Sequence, residues 1–376
     1  MAKLNSPIWF WQRMRTPHMG AIAEALADQG HRVTFVANSV LSKERVKEGW
    51  QKARLNKAIF KLASNKNAAI HLARKAPKNS IHLCQGFHSN GLVSNVQRIL
   101  RNRGLRHWII IEKIDEAGLK GKFKKLLYRM LVLYWKKNLQ GILAIGHGTK
   151  DWIIERGIEK KKVFPFAYFL DNPKTNNQKK NVIIKSKKRS YRFLFIGRLI
   201  QLKKVELLIK AIATLKFIDI ELWIVGDGPE RDNLYSLANI LIPNKVYWHG
   251  TLPMSKIPKI INQVDCLVLP SRHDGWGAVV SEALMSGTPV ICSNACGSSL
   301  AVKASGVGGV FLSNNIKSLS KILYKQYKTG KISEKKRQKI IRWAKCLNAT
   351  SGAKYLERIL SNYSAKTIYP PWEIDQ

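Results

Sequence analysis

The sequence predicts an α/β protein built from two doubly wound domains. In both halves of the chain, short apolar strands alternate with helical segments, which is the pattern of a parallel sheet covered by helices. Between the halves lies a stretch rich in Asn, Lys and Ser with almost no aromatic residues, a composition typical of a linker. We therefore predict four segments: a first domain over 1–171, a basic linker over 172–190, a second domain over 191–360, and a tail over 361–376 that packs back on the first domain.

The first half opens with a strand, a helix and a second strand, predicted over 7–12, 17–29 and 31–38. Thr16 offers a capping hydroxyl ahead of Pro17, and Gly30 supplies a left-handed stop after the helix. Further strands are predicted over 81–84, 108–111 and 141–145.

The second half repeats the alternation of strands and helices. Its strands are predicted over 192–196, 220–225, 245–248, 266–269 and 289–292, with helices over 204–215, 231–238, 258–262 and 279–285. Two Rossmann-like sheets are the architecture that this alternation predicts.

Charge is the most unusual feature of the composition. The chain has 65 Lys and Arg against 24 Asp and Glu, a formal net charge of +41, which calls for an anionic partner or an anionic membrane surface. Nucleic acid is not the expected partner, because the sequence has no zinc-finger spacing, aromatic-basic RNA-binding signature or helix-turn-helix signal. No apolar run is long enough to span a bilayer, which takes about 20 residues.

The five cysteines also indicate a cellular compartment. Their number is odd and they lack paired metal-binding spacing, so we expect free thiols and a cytoplasmic protein. Residues 1–14 lack the apolar core and cleavage site of a secretory signal and are better interpreted as the first strand.

Glycines and charged residues follow several predicted strands of the second half, where ligands bind in open α/β sheets. Gly197, Arg198 and Lys203 place two cations at one such turn, a combination that suits a diphosphate. Gly226 and Gly228 form a second turn, whose backbone could approach a ligand closely.

The third turn is a glycine-rich segment that leads into a helix, with the carboxylates Asp274 and Glu282 at either end. Its backbone N–H groups can hold phosphate or sugar hydroxyls, and a carboxylate can accept two hydroxyl protons. Each turn taken alone is more often a plain turn or a solvated charge than a ligand site. Their occurrence together favours a ligand site.

The order of these motifs resembles the C-terminal domain of glycosyltransferase family 4. That family consists of retaining enzymes with the GT-B architecture, in which two Rossmann-like domains face each other across a cleft. The resemblance covers residues 193–292 and rests on Gly197-Arg198-x4-Lys203, Gly226-x-Gly228-Pro229, Val246-x-Trp248-x-Gly250, Asp265, Pro270-Ser271, Asp274-Gly-Trp-Gly-x4-Glu282-Ala283 and Gly287-Thr288-Pro289-Val290.

The resemblance implies a nucleotide-sugar donor and a role for each matching residue. Arg198 and Lys203 would bind the donor diphosphate, Asp274 the transferred sugar and Glu282 the ribose. The nucleobase would meet Trp248 and His249, and the sugar and phosphate would meet the backbone of Gly275, Trp276, Gly277, Ala278 and Val279. We expect no metal and no other cofactor, because cations and helix N-termini would meet the diphosphate charge.

The sequence departs from the family pattern in several places. Asp274 replaces the first of two paired glutamates, and Lys204 occupies the position of a glycine, where it adds a cation or faces solvent. The glycine-rich loop after the first strand is replaced by residues 13–18, so we assign Arg13, Arg15 and His18 to the acceptor side.

The histidine that often lies beside the reacting sugar is missing from its place after the strand 108–111. Either Glu112 fills that role or His88 does, and the alternative is that Glu112 simply pairs with Lys113 or another cation.

A basic amphipathic helix is predicted over 119–137. Its apolar positions are Leu119, Phe123, Leu126, Leu127, Met130, Leu133 and Tyr134, and its cations are Lys120, Lys122, Lys124, Lys125, Arg129, Lys136 and Lys137. This is the form of an interfacial membrane helix, although the apolar stripe could instead pack on the sheet of the first domain, and both can hold if the stripe is wide.

The function predicted from all of these features is a retaining glycosyltransferase of the hexosyltransferase type. It would extend a lipid-linked glycan for a surface polysaccharide, such as lipopolysaccharide or capsule, as a peripheral protein on the inner face of the plasma membrane. Two alternatives stay open at this point: a GT-B nucleotide-sugar epimerase and a basic nucleic-acid-binding protein.

Overall fold

The computed structural model describes residues 4–88, 90–172, 189–215, 219–362 and 368–373. Most of the predicted linker and part of the predicted tail lie outside these residues. The chain forms two compact units. The first comprises Met1–Val46, Gln51–Asp171 and Cys346–Gln376, and the second comprises Lys47–Trp50 and Asn172–Lys345.

The first unit is built on a seven-stranded parallel sheet with the strand order β3-β2-β1-β4-β5-β6-β7. The strands are β1 (Ile8–Met14), β2 (Val33–Ser39), β3 (Ile59–Leu62), β4 (Ile81–Gln85), β5 (Arg106–Glu112), β6 (Gly141–Ile145) and β7 (Val163–Phe166). The helices are α1 (Pro17–Asp28), α2 (Lys43–Lys47, ending in the second unit), α3 (Lys66–Lys75), α4 (Val93–Asn102), α5 (Gly118–Trp135) and α6 (Thr149–Ile154).

Helix α1 begins and ends where the sequence predicts. Pro17 occupies the first helical turn and Gly30 follows the helix with a φ of 86°. Thr16 precedes the helix in an extended conformation, but its hydroxyl makes no capping hydrogen bond, so the predicted cap is wrong. The fixed φ of proline already suits the first turn of a helix, and this favours the start of α1 without a side-chain cap.

The chain after residue 345 returns to the first unit. Helix α14 (Ala349–Asn362) packs on α1, the His31 imidazole lies 3.1 Å from the Glu357 carboxylate, and the Tyr355 hydroxyl donates to the Pro165 carbonyl at 2.8 Å. The boundary predicted at residue 360 therefore moves to residue 346. An apolar stripe predicts that a helix packs on one face, but it does not indicate which sheet the helix covers.

The second unit is built on a six-stranded parallel sheet with the order β10-β9-β8-β11-β12-β13. The strands are β8 (Tyr191–Ile196), β9 (Ile220–Val225), β10 (Val246–Trp248), β11 (Cys266–Leu269), β12 (Val290–Ser293) and β13 (Gly308–Phe311). The helices are α7 (Val205–Ala213), α8 (Arg231–Leu241), α9 (Ile257–Ile261), α10 (Ala278–Met285), α11 (Ser299–Ala304), α12 (Ile316–Lys328) and α13 (Glu334–Trp343).

Both sheets reverse their direction of growth at one place. The first unit does so between β1 and β4, and the second does so between β8 and β11. In open α/β sheets, ligands bind outside the carboxyl ends of the strands at this switch point. The fold therefore selects the loops after β1 and β4 in one unit, and those after β8 and β11 in the other.

Candidate functional site

The candidate site of the second unit is built from the two loops that flank its switch point. The loop after β8 contains Gly197, Arg198 and a short 3-10 turn over Gln201–Lys203. The loop after β11 leads to α10. The Arg272 amide donates to the Leu202 carbonyl at 2.9 Å, and this hydrogen bond fixes one loop against the other.

Lys203 and Asp274 form an ion pair across these two loops. The Lys203 Nζ lies 2.5 Å from the Asp274 Oδ2, and the two side chains are 21% and 13% exposed. Because both groups are shielded from water, their attraction is stronger than that of a surface pair. The structure thus brings together two residues that the sequence predicts for the same site from positions 71 residues apart.

Arg198 is paired with a residue that sequence reasoning missed. Its Nε lies 3.1 Å from the Glu48 Oε1, with the Arg198 side chain 54% exposed and the Glu48 side chain 21% exposed. Glu48 belongs to Lys47–Trp50, the short segment that is part of the second unit although it precedes that unit's sheet in sequence. No local pattern could have found this pair, since it depends on a tertiary contact.

The close packing of two loops requires glycine at positions 226 and 228. The two loops after β8 and β9 are joined by hydrogen bonds from the Gly197 amide to the Val225 carbonyl at 3.0 Å and from the Leu199 amide to the Asp227 carbonyl at 2.9 Å. A Cβ atom at Gly226 would overlap the Gly197 carbonyl, and one at Gly228 would overlap the Leu199 carbonyl. The predicted close approach is therefore made to a neighbouring loop within the protein.

The segment Gly275–Val279 turns into helix α10. Gly277 precedes the helix with a φ of 80°, so Ala278 and Val279 present their amides in its first turn. The Trp276 side chain is buried, its Nε1 donates to the Ser281 hydroxyl at 3.0 Å, and the Trp276 carbonyl accepts from the Ser298 amide at 3.0 Å. The indole thus anchors the turn inside the unit.

Glu282 lies one helical turn further along α10. Burial raises the pKa of its carboxyl group to about 7. Within the described part of the chain, no hydrogen-bond donor or cation pairs with this carboxylate. A desolvated carboxylate without a partner is suited to accept hydrogen bonds from a ligand that carries two neighbouring hydroxyls.

Trp248 is the last residue of the edge strand β10, and His249 follows it. The Trp248 ring lies 5.9 Å from the Tyr235 ring and the His249 ring lies 4.8 Å from the Trp223 ring. Burial lowers the pKa of His249. The His249 amide already donates to the Ile224 carbonyl at 2.9 Å, so it is engaged within the sheet and is not available to a nucleobase.

Lys204 adopts a left-handed backbone conformation, with φ 54° and ψ 40°. This geometry favours glycine, the residue expected at this position from the resemblance. Its ammonium group lies 3.0 Å from the carboxylate of Glu206, the second residue of α7. Lys204 is therefore a locally paired cation, which differs from both predicted roles.

In the first unit, Arg13 and Arg15 lie at and just after the end of β1. The Arg13 amide donates to the Gln85 Oε1 at 2.8 Å, which joins β1 to the end of β4 across the switch point. The Arg15 guanidinium lies 4.6 Å above the Phe60 ring, and burial lowers its pKa. Arg13 therefore lies at the place where this sheet would bind a ligand, whereas the Arg15 guanidinium contacts the edge strand β3.

His18 is placed differently from the other acceptor-side candidates. It is buried, and its ring stacks on Tyr168 at 4.7 Å. Burial, helped by the charge of Arg45, lowers its pKa to about 4. His18 is therefore a neutral residue of the core.

His88 and Glu112 follow neighbouring strands at the same edge of the sheet. His88 is exposed, three residues beyond β4, and Glu112 is the half-buried last residue of β5, paired in register with Ile145. Both lie at the carboxyl-end edge of the sheet, so the choice between them stays a prediction.

Helix α5 exposes the apolar side chains that the alternative interpretation placed on the sheet. Leu119 is 84% exposed and Phe123 is 72% exposed, and the exposed stripe continues through Leu126, Met130, Leu133 and Tyr134. The face that packs on the unit consists instead of Tyr128, Leu131, Val132 and Trp135. The packing alternative is therefore wrong for these six side chains, and Leu127 is half-buried.

Cations accompany the exposed apolar stripe of α5. Lys122, Lys124, Lys125, Arg129 and Lys137 are exposed and Lys136 is half-buried, whereas the Lys120 side chain lies outside the described residues. The loop before the helix is fixed by an ion pair of 2.5 Å between Glu116 and the buried Arg156. The result is a surface that is both apolar and basic, on a helix anchored at both ends.

Clusters of metal-binding side chains and membrane-spanning helices are absent from the described ranges. No group of three or more His, Cys, Asp or Glu side chains is arranged to hold a metal ion among residues 4–88, 90–172, 189–215, 219–362 and 368–373. No helix in the same ranges is long and apolar enough to cross a membrane. All five cysteines are free and buried.

Sequence comparisons show that the second half of the chain is similar to glycosyl transferases. Residues 176–345 match the family model of glycosyl transferases group 1. A similar relative is the lipopolysaccharide core biosynthesis glycosyltransferase LpsE of Rhizobium meliloti, 35% identical over 103 residues, which are 27% of this chain and 29% of the relative. The chain spans less than a third of the length of the first curated relatives that it matches.

Structural comparisons extend over nearly the whole chain. The apo form of the lipopolysaccharide outer core galactosyltransferase WaaB is similar with a TM-score of 0.69 at 17% identity, covering 94% of this chain and 99% of that one. Alr3699/HepE of Anabaena in complex with UDP has a TM-score of 0.70 at 14% identity, covering 95% and 99%. These likenesses confirm the predicted fold class, two Rossmann-like domains of the GT-B architecture. The family model that matches is one of glycosyl transferases, not of epimerases or nucleic-acid-binding proteins.

Proposed function

We propose that the protein is a glycosyltransferase that takes a sugar from a nucleoside-diphosphate sugar bound in its second unit. The observation that carries this proposal is the position of Arg198, Lys203 and Asp274, three charged groups on the loops at the switch point of a Rossmann-like sheet. They lie in the segment that matches glycosyl transferases group 1.

The two cations have a defined task in this reaction. The bond between the anomeric carbon and the diphosphate oxygen breaks, and the diphosphate leaves with the electron pair. A new bond forms to the acceptor hydroxyl oxygen, whose proton passes to the leaving phosphate. Arg198 and Lys203 stabilise the negative charge that the diphosphate gains, and no step requires a metal ion.

The two carboxylates, Asp274 and Glu282, contact opposite ends of the donor. Asp274 lies beside Lys203, so it contacts the transferred sugar next to the distal phosphate. The Glu282 carboxylate has no hydrogen-bond or ion-pair partner among the described residues, and it accepts hydrogen bonds from the two ribose hydroxyls. The amides of Ala278 and Val279 at the start of α10 hold phosphate or sugar oxygens.

The surface of the first unit supports a glycan acceptor on a lipid anchor. The exposed stripe of α5 combines apolar side chains with cations, which is the surface that an anionic bilayer binds. Arg13, Arg15, His88 and Glu112 at the edge of the same unit's sheet are then the acceptor contacts. One relative acts in lipopolysaccharide core biosynthesis, which supports a surface polysaccharide as the product. Retention of the anomeric configuration and membership of family 4 rest on the motif resemblance.

Donor binding is tested by a thermal-shift screen of UDP-, GDP- and ADP-sugars with the full chain. A donor at about 100 times its dissociation constant stabilises the fold by about 2.7 kcal/mol. Incubation with acceptor lipids then shows transfer, and the anomeric configuration of the product, read by NMR, distinguishes retention from inversion. If no nucleotide sugar shifts the melting temperature or supports transfer, the proposed function is wrong.

Membrane binding is tested with vesicles containing phosphatidylglycerol. Changing Lys122, Lys125, Arg129 and Lys136 to Gln is expected to release the protein, because each lost cation costs about 1 kcal/mol of attraction. The matched control changes Lys317, Lys321, Lys325 and Lys328 of α12 to Gln, the same loss of charge on an exposed helix face of the second unit. If both variants dissociate equally, the net charge alone binds the vesicles and α5 has no special role.

A further inference from the structure

The two cations of the proposed diphosphate site are each held by a carboxylate from another segment. Asp274 holds Lys203 and comes from the neighbouring loop of the same switch point. Glu48 holds Arg198 and precedes it by 150 residues in the sequence. Nothing in the family resemblance assigns a role to this second carboxylate.

The structure fixes Glu48 in place through its own backbone. Gly49 has a φ of 81°, and a Cβ atom at this position would overlap the Leu252 carbonyl. The Met254 amide donates to the Gly49 carbonyl at 3.0 Å. Since only glycine fits this conformation and this contact, the segment Lys47–Trp50 is seated on the loop 251–254, and the Glu48 side chain is held near Arg198.

We propose that Glu48 is an internal competitor of the donor diphosphate for Arg198, and that it promotes release of the nucleoside diphosphate after transfer. This inference rests on the proposed function. The Arg198 guanidinium is already paired with the Glu48 carboxylate. A diphosphate that binds at the switch point must therefore displace Glu48 or share the guanidinium with it. In either case the carboxylate offsets part of the guanidinium charge and so weakens the attraction of Arg198 for the phosphates.

Charge and exposure set the size of the effect. The Arg198 side chain is 54% exposed, so its pair with Glu48 is a partly solvated one that an incoming anion can replace. Loss of a partly exposed ion pair corresponds to about a threefold to fivefold change in affinity. With a formal net charge of +41, the protein attracts anions strongly, and a local carboxylate offsets that attraction where the product must leave.

The experiment is calorimetry of the full chain with UDP, and with GDP and ADP as further probes. We expect Glu48→Gln to bind the nucleoside diphosphate about threefold to fivefold more tightly than wild type and to release it more slowly in a stopped-flow chase. The matched control is Glu44→Gln, which removes the same charge from the exposed helix α2 and is expected to leave affinity unchanged. Gly49→Ala, which dislodges the segment without changing the charge, is expected to tighten binding in the same direction.

The double variant Glu48→Gln with Arg198→Ala separates the two proposals. If Glu48 acts through Arg198, its replacement has no effect once Arg198 is absent. Unchanged or weaker binding by Glu48→Gln, with wild type still binding and Arg198→Ala still impaired, overturns the competitor role alone. Failure of wild type to bind any of the three diphosphates instead contradicts the proposed function on which the inference rests.

Discussion

The two units share one strand order but differ in what their switch points carry. Through their first six strands both sheets run third, second, first, fourth, fifth, sixth. The second unit places Arg198, Lys203 and Asp274 there. The first unit places Arg13 beside the end of β4, and its Arg15 guanidinium lies over Phe60 of β3. The shared order selects the location of a site in each unit, and the side chains then decide its ligand.

The strongest test of this comparison is removal of the two cations in the second unit. Arg198→Ala and Lys203→Ala are expected to lower kcat by about 100- to 1000-fold, since each removes charge stabilisation of the leaving diphosphate. Lys259→Ala, on the exposed face of α9, is the control for loss of a lysine in the same unit. Steady-state kinetics decide the matter, and near wild-type turnover by both variants would break the assignment.

Acid should affect the two units in opposite ways. Burial lowers the pKa of His18 to about 4, of His82 to about 3, where the charges of His107 and Arg103 contribute, and of His107 to about 4. All three histidines belong to the first unit. The unfolded chain therefore binds more protons than the folded one below about pH 6.5, and each histidine costs about 1.4 kcal/mol of stability per pH unit as the pH falls towards 4.

Glu282 gives the second unit the opposite trend. Its pKa is raised to about 7, so its contribution opposes folding at pH 7 and this opposition disappears as the pH falls below about 4.5. Hydrogen exchange at pH 7 and pH 5, resolved by peptide, is expected to show greater loss of protection in the first unit. Equal loss of protection in both units would contradict the expected difference in their response to acid.

His107 offers a way to sharpen the acid test. Neither of its ring nitrogens has a hydrogen-bond partner among the described residues, and its ring contacts Trp135 edge-on at 5.6 Å. His107→Leu is expected to raise the free energy of unfolding at pH 7 by about 1–3 kcal/mol and to make it less dependent on pH. Urea unfolding at pH 7 and pH 5.5 measures both, with His71→Gln on the exposed face of α3 as the control.

Arg15→Ala tests the first unit as the acceptor side. Loss of this cation is expected to raise the KM for the glycan acceptor by about tenfold, the equivalent of about 1.4 kcal/mol, and to leave donor affinity unchanged. Calorimetry with UDP and acceptor saturation curves separate the two quantities. A variant that loses donor affinity instead would show that Arg15 serves the donor.

Donor affinity should depend on pH through Glu282. Its carboxylate accepts two ribose hydroxyls best when deprotonated, so the affinity for UDP is expected to rise about tenfold between pH 6 and pH 8 relative to Glu282→Gln. The variant corrects for titration of the phosphate itself. Parallel pH profiles for wild type and variant would exclude the ribose role.

The smallest expected effect comes from backbone strain. The left-handed residues other than glycine in the described ranges are Lys204, Asn244 and Asn314, and all lie in the second unit. Lys204→Gly is expected to stabilise the protein by about 0.5–1 kcal/mol, because glycine adopts this conformation without a Cβ clash. Asn314→Gly is the control with the smaller gain, since asparagine tolerates the left-handed region. Thermal unfolding measures both variants.

The sequence by itself determined the parts of the protein that depend on neighbouring residues. Apolar runs bounded by turn residues predicted most strands of both sheets. The exceptions were β3, which is largely exposed, β7, which contains Pro165, and β13, which begins with Gly308 and Gly309. Arg198, Lys203, Asp274 and Glu282 were predicted as site residues from their spacing after strands, which is a local property.

Only the tertiary structure decided the contacts between distant segments. It paired Glu48 with Arg198, returned α14 to the first unit, turned the apolar stripe of α5 outwards and buried the Trp276 indole. Helical periodicity shows that one face of a helix is apolar, but the same pattern serves a face that packs on a sheet and one that binds a bilayer. Which of the two α5 presents depends on the shape of the surface that Val132 and Trp135 fill, and no single segment encodes that shape.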